Sequence, residues 1–224
     1  MYEQDGKWHG FEMLLAKEAL TYKGHTISLE AHMPNARLQY AVSGLDFDVS
    51  VAVQAIGSSY LSDDFITYEN FAISRTRDKV TVNSIADLVN YRTVAWQNAY
   101  MNLGDEYTKY FGPEVRHGDS DDYMEFSDQQ SQNAFFWLGR ADVIVVDRAI
   151  FHWYRRLLSK KFDTSAELTY HEIFPQKTNY QVAFKKKSIR DDFNEGLKFL
   201  RSSGKYQEIV DRYLSIPTKT TNQN

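Results

Sequence analysis

Four consecutive β-branched residues, Val143 to Val146, constrain this chain more than any other stretch. A run that is apolar at every position is the pattern of a strand buried on both faces of a sheet. Gly139 closes whatever helix precedes it, Asp147 ends the run, and Arg148 to Leu158 reads as the next helix. Helix, short buried strand, helix is the repeating unit of an open α/β sheet. Ligands of such sheets sit outside the carboxyl ends of the strands, so the Asp147 carboxylate is placed to meet a ligand cation. It is equally suited to cap the first turn of the helix that follows. One carboxylate has two oxygens, and the two roles are compatible.

The length of 224 residues accommodates one large or two small α/β domains, and 42% hydrophobic with 15% aromatic residues supplies the core. Against 30 acidic side chains stand 26 basic ones, for a net charge of −4. No basic stripe points to nucleic acid, and none is expected as a partner. Cysteine is absent, which removes disulfides, thiolate nucleophiles and Cys-ligated zinc together. His9, His25, His32, His117, His152 and His171 form no i, i+4 pair and no His-Glu-x-x-His run, so no metal is expected. Asp119, Asp121 and Asp122 lack the Gly and distal Glu of a calcium loop. No cofactor motif is present. No apolar run approaches the roughly 20 residues of a membrane span.

Along the chain, Phe11 to Leu20 has helical spacing, and Asp48 to Ile56 reads as a strand with Val49, Val51, Val53 and Ala55 on one side. Phe71 to Ser74 is a second extended run, followed by the charged stretch Arg75 to Lys79. A new rhythm then starts. Helices are expected at Ile85–Val89, Tyr100–Phe111 and Phe126–Leu138, the last opened by a capping box of Ser127 and Gln130. Strands are expected at Thr93–Gln97 and Val115–His117. Tyr180 to Phe184 returns as a strand. Ile189, Phe193, Leu197 and Leu200, then Tyr206, Ile209, Val210, Tyr213 and Leu214, have the spacing of two closing amphipathic helices.

Six segments, in order, resemble the extracytoplasmic solute-binding proteins of bacterial family 3, the amino-acid-binding type with the type II periplasmic fold. They are Asp5-Gly6-Lys7-Trp8-His9-Gly10-Phe11-Glu12; Ser43-Gly44 leading to Phe47-Asp48-Val49; Asp64-Phe65 with Tyr68; Ser84 to Leu88 before Thr93-Val94-Ala95; Gly139 to Asp147; and Gly204-Lys205-Tyr206. The resemblance implies an α/β fold of two lobes joined by two crossing strands, with a ligand cleft between them. Lobe 1 would be discontinuous, residues 1–74 and 180–224, with residues 75–179 forming lobe 2. The crossings would fall near Phe71–Arg77 and Thr178–Phe184, whose polar composition suits a solvated hinge. The first strand of lobe 1 is expected to be missing, because Tyr2 to Gly6 reads as the turn that follows it, and Met1 would then be internal to a longer exported precursor.

The resemblance further implies a monomeric periplasmic receptor, not an enzyme, that captures a small polar solute and presents it to an ABC-type transporter permease. A sensory input domain of a membrane receptor is the alternative, and an enzyme on the same fold a more distant one. Asp147 matches the family's amine-binding acid. Gln54, Ser58, Tyr60, Trp96, Gln97 and Tyr100 are the other expected ligand contacts, Trp96 and Tyr100 because they lie at a strand end facing the cleft. The Arg that clamps a ligand carboxylate in the family has no counterpart between Gly57 and Phe65, and the family's Gly-Thr is Ala99-Tyr100 here. An amine-bearing solute without a carboxylate therefore suits this chain better than an α-amino acid.

Overall fold

The computed structural model describes residues 2–4, 7–38, 40–54, 57–115, 122–175 and 177–214. The first described elements are β1 (Tyr2–Gln4) and β2 (Lys7–His9), paired antiparallel in a ladder separate from the other sheets, so Tyr2 to Gln4 is a strand and not the turn read from the sequence. Helices α1 (Phe11–Tyr22), α2 (Asn35–Leu38) and α3 (Ala41–Gly44) precede β3 (Val49–Val53), β4 (Tyr60–Leu61), β5 (Ile66–Tyr68) and β6 (Asn70–Arg75). Then come β7 (Thr93–Trp96), α4 (Asp105–Phe111), β8 (Tyr123–Phe126), α5 (Gln129–Trp137), β9 (Val143–Asp147) and α6 (Arg148–Leu158). β10 (Leu168–His171), β11 (Thr178–Phe184), α7 (Lys187–Ser202) and α8 (Lys205–Leu214) complete the order.

Two larger sheets organise these elements. A mixed five-stranded sheet has the order β10-β6-β9-β7-β8, with β7 parallel to both β8 and β9. The second sheet is centred on β11, which pairs antiparallel with β3, β4 and β5. The β9 run behaves as its composition demands. Val143 and Val145 enter one core, with Leu88, Leu103 and Tyr107; Ile144 and Val146 enter the other, with Phe136, Phe151 and Leu158. Burial on both faces explains why no polar residue interrupts the run. The core on the β11 sheet unites Leu15 and Ala19 of α1 with Phe193, Leu197 and Leu200 of α7, as the helical spacing predicts.

Local expectations are corrected in several places. β3 stops at Val53 and does not alternate cleanly, because Ala52 has φ 58° and the register with β11 slips between Gln181 and Val182. This bulge turns Val53 away from the side of Val49 and Val51, into a cluster with Val42 and Ala183. Ala55 and Ile56 lie outside the described residues. The strand beside β7 is Tyr123–Phe126, whereas Val115 sits in a turn and His117 is outside the described residues. The helix expected from Tyr100 is divided at Gly104 (φ 90°) into a 3-10 turn, Ala99–Met101, and α4. α5 is capped by Asp128, whose carboxylate accepts the Ser131 amide at 2.7 Å, rather than by a box of Ser127 and Gln130.

The chain changes sheet at a different place from the one its polarity suggests. β6 lies between β10 and β9, and Phe71 to Arg75 is largely buried there. Arg75 is 5% exposed. Its guanidinium donates to Asp78, to the Phe136 carbonyl and to the Ala141 carbonyl at 2.6–2.8 Å, and it covers the Phe136 ring. The switch occurs at Glu69, the one residue between β5 and β6, and the chain returns just before Thr178. A hydrogen bond from Asn70 to the Thr178 hydroxyl, 3.2 Å long, ties the two passages together.

Candidate functional site

Asp147 ends β9 and caps α6, and its surroundings answer for both of its oxygens. Oδ1 accepts the Ile150 amide at 2.9 Å, and Oδ2 accepts the Glu69 amide at 2.8 Å. One carboxylate thus holds the start of a helix and the residue at which the chain changes sheet. Burial pushes its pKa up to about 6, the backbone amides pull the other way, and the Glu69 charge raises it further.

A cavity of about 730 Å³ lies against both sheets, walled by Asp147, Asn70, Trp96 and Gln97 on one side and by β3, Phe11, Glu12 and Tyr68 on the other. Its described lining includes six carboxylates, Glu12, Glu30, Asp46, Asp48, Asp128 and Asp147, and no Lys or Arg. Two of the six have cations of their own, outside the lining: Lys17 for Glu30 and Lys185 for Asp46. Asp128 and Asp147 accept backbone amides. Glu12 differs from these. It stands in the first turn of α1, half-buried, with the Tyr68 hydroxyl donating to its Oε1 and with no ion pair among the described residues.

Tyr68 and Tyr180 stand edge to face, 5.4 Å between centroids, beside Glu12. Burial raises the pKa of both phenols, and the negative charges of Glu12 and Asp147 raise them further. The cavity wall is therefore anionic and aromatic at once. The buried Oε1 of Gln97 has no hydrogen-bond partner. A buried acceptor left without a donor costs about 1–3 kcal/mol.

Of the residues expected from the sequence, Asp147, Gln54, Trp96 and Gln97 line the cavity. Ser58 is in an exposed turn and Tyr60 on β4, 44% exposed; neither is in the lining. Tyr100 is not in it either, since its ring packs into the core under α4. Arg75 is committed to Asp78 and to the Phe136 and Ala141 carbonyls and does not line the cavity. Glu12, Tyr68 and Asn102 were not singled out from the sequence. A signal for Glu12 was present: an acid directly after Gly10-Phe11, at the first turn of a helix.

By sequence, no protein-family model and no curated protein matches this chain. Solved structures do. A mutant of ArgBP from T. maritima superposes with a TM-score of 0.70 at 23% identity, covering 96% of this chain and 89% of that one. The arginine-, lysine-, histidine-binding protein ArtJ from Geobacillus stearothermophilus gives 0.71 at 22% identity, with 97% and 91% covered. A histidine kinase sensor domain with similarity to periplasmic binding proteins gives 0.73 at 17% identity, with 95% and 89% covered. The chain has the two-lobe α/β fold of the periplasmic binding proteins.

Proposed function

We propose that this protein is a receptor that binds a small cationic, amine-bearing solute without a carboxylate, outside the cytoplasm, and delivers it as a monomer to a membrane permease. The observation that carries the ligand class is the wall of the cavity: six acids and neither Lys nor Arg among its described residues. An α-amino acid needs a cation for its carboxylate, and a bidentate Arg is the usual provider. An amine needs only acceptors. Glu12 supplies the charge, and the rings of Tyr68 and Tyr180 stand beside it. Asp147 adds to the negative field from its buried, amide-bound position.

The lobes of this receptor are best divided at Glu69 and just before Thr178, where the chain changes sheet, a few residues from the limits suggested by composition. The likeness to ArgBP and ArtJ favours a binding role over an enzymatic one. The likeness to a histidine kinase sensor domain favours a second reading, a sensory input domain of the same ligand class.

Matched pairs of ligands test the class directly, by calorimetry with the full chain: arginine against agmatine, lysine against cadaverine, histidine against histamine. Each pair differs by a carboxylate alone. The amines are expected to bind at least tenfold more tightly than their parent amino acids, and Glu12→Gln to weaken the amines by about tenfold or more, the loss of one charged hydrogen bond. Tighter binding of the amino acids in all three pairs would overturn the reading.

A further inference from the structure

Gln54, at the end of β3, and Trp96, at the end of β7, were expected from the sequence to hold ligand, yet the structure binds them to one another through Asn102. The Trp96 indole N–H donates to Asn102 Oδ1 at 3.4 Å. Asn102 Nδ2 donates to Gln54 Oε1 at 2.5 Å, and Gln54 Nε2 donates to the Asn179 carbonyl of β11 at 3.2 Å. The direction of this chain is settled at both ends, because an indole N–H can only donate and a backbone carbonyl can only accept. Neither amide can be flipped without breaking a terminal bond. Asn102 follows the 3-10 turn after β7, whereas Gln54 directly follows β3 and Asn179 lies in β11, strands of the other sheet, and Gln54, Trp96 and Asn102 all line the cavity. Three side chains therefore span the cavity from one sheet to the other.

We infer that Asn102 is a positioning residue, and that with Gln54 it forms a strap of the protein's own side chains that holds the two lobes together across the cavity. Both polar ends of the Gln54 amide are engaged in it, which removes Gln54 from the ligand contacts. Asn102 is anchored for the task by its own backbone, whose amide donates to the Ala99 carbonyl at 3.0 Å. Aligned amide bonds in series reinforce one another, so losing either residue releases the whole strap.

Small-angle scattering of the full chain, with no ligand added, tests it. Asn102→Ala and Gln54→Ala should each enlarge the radius of gyration, and the double variant should be no larger than either single one. Asn102→Asp is the discriminating variant: it still accepts the Trp96 N–H but has no N–H₂ for Gln54, and should open the molecule as Asn102→Ala does. A radius unchanged in all variants, or increments that add in the double variant, would overturn the strap. The absence of cysteine permits an independent check. In a Gln54→Cys, Asn102→Cys variant, dibromobimane, which fluoresces only when both its arms have reacted, should bridge the pair. Fluorescence no higher than that of the single-cysteine variants would count against the strap.

Discussion

Asp147 shows how much one side chain can be asked to do at a strand end. Its oxygens serve the α6 cap and the Glu69 amide, and burial raises its pKa from 3.8 to about 6. Below about pH 4 the carboxyl is neutral in the folded and unfolded chains alike, and above about pH 6 it is ionised in both. In between, only the unfolded chain gives up the proton. Stability therefore falls as pH rises through that window, by roughly 2–3 kcal/mol. Asp147→Asn removes the titration. Melting curves across this window should show the wild-type chain losing ground to the variant as pH rises; curves that stay parallel would place the titration elsewhere.

At the scale of elements, the closest packing in the β11 half is that of α1 against α7. A Cβ on Gly196 would stand 2.0 Å from the Ala19 carbonyl oxygen, so these helices meet backbone to backbone. Neither can move without carrying Leu15, Phe193 and Leu197 out of register with the sheet. Gly196→Ala should cost about 1–3 kcal/mol or more through overpacking, read as a lower melting temperature, because the clash is with backbone rather than with a side chain that can rotate. An unchanged melting temperature would mean that the helices have room to separate.

For the whole molecule, the relevant quantity is the field inside the cavity. Acids line it without Lys or Arg among the described residues, which concentrates the field on an entering cation. The association rate of agmatine should therefore fall as salt rises from low to physiological strength, since the screening length shrinks to about 8 Å there. Stopped-flow measurement of that rate is the check, and a rate indifferent to salt would show that the acids do not steer the ligand.

Much of this architecture is written in local periods. The β9 run and the spacing of Phe193, Leu197 and Leu200 pointed to an α/β fold, and the resemblance carried by six short segments in order implied its two lobes. These signals survive in sequence because a strand buried on both faces is apolar at every position and an amphipathic helix repeats its apolar face every 3.6 residues. Other features had no such period. The bulge at Ala52 depends on where β11 pairs with β3, and β8 was missed because Tyr123 to Phe126 is an edge strand of mixed polarity. Arg75 looked like a solvated hinge residue until the carbonyls of Phe136 and Ala141 came to surround it. The site was hidden for the same reason. Glu12 meets Tyr68, and Gln54 meets Asn102, across dozens of residues of chain. The sequence by itself determined the buried run of β9, the core spacing of α1 and α7, and that Asp147 would stand at a strand end. Only the tertiary structure decided which acids face the cavity and which side chains hold each other, because those pairings join segments far apart in the chain.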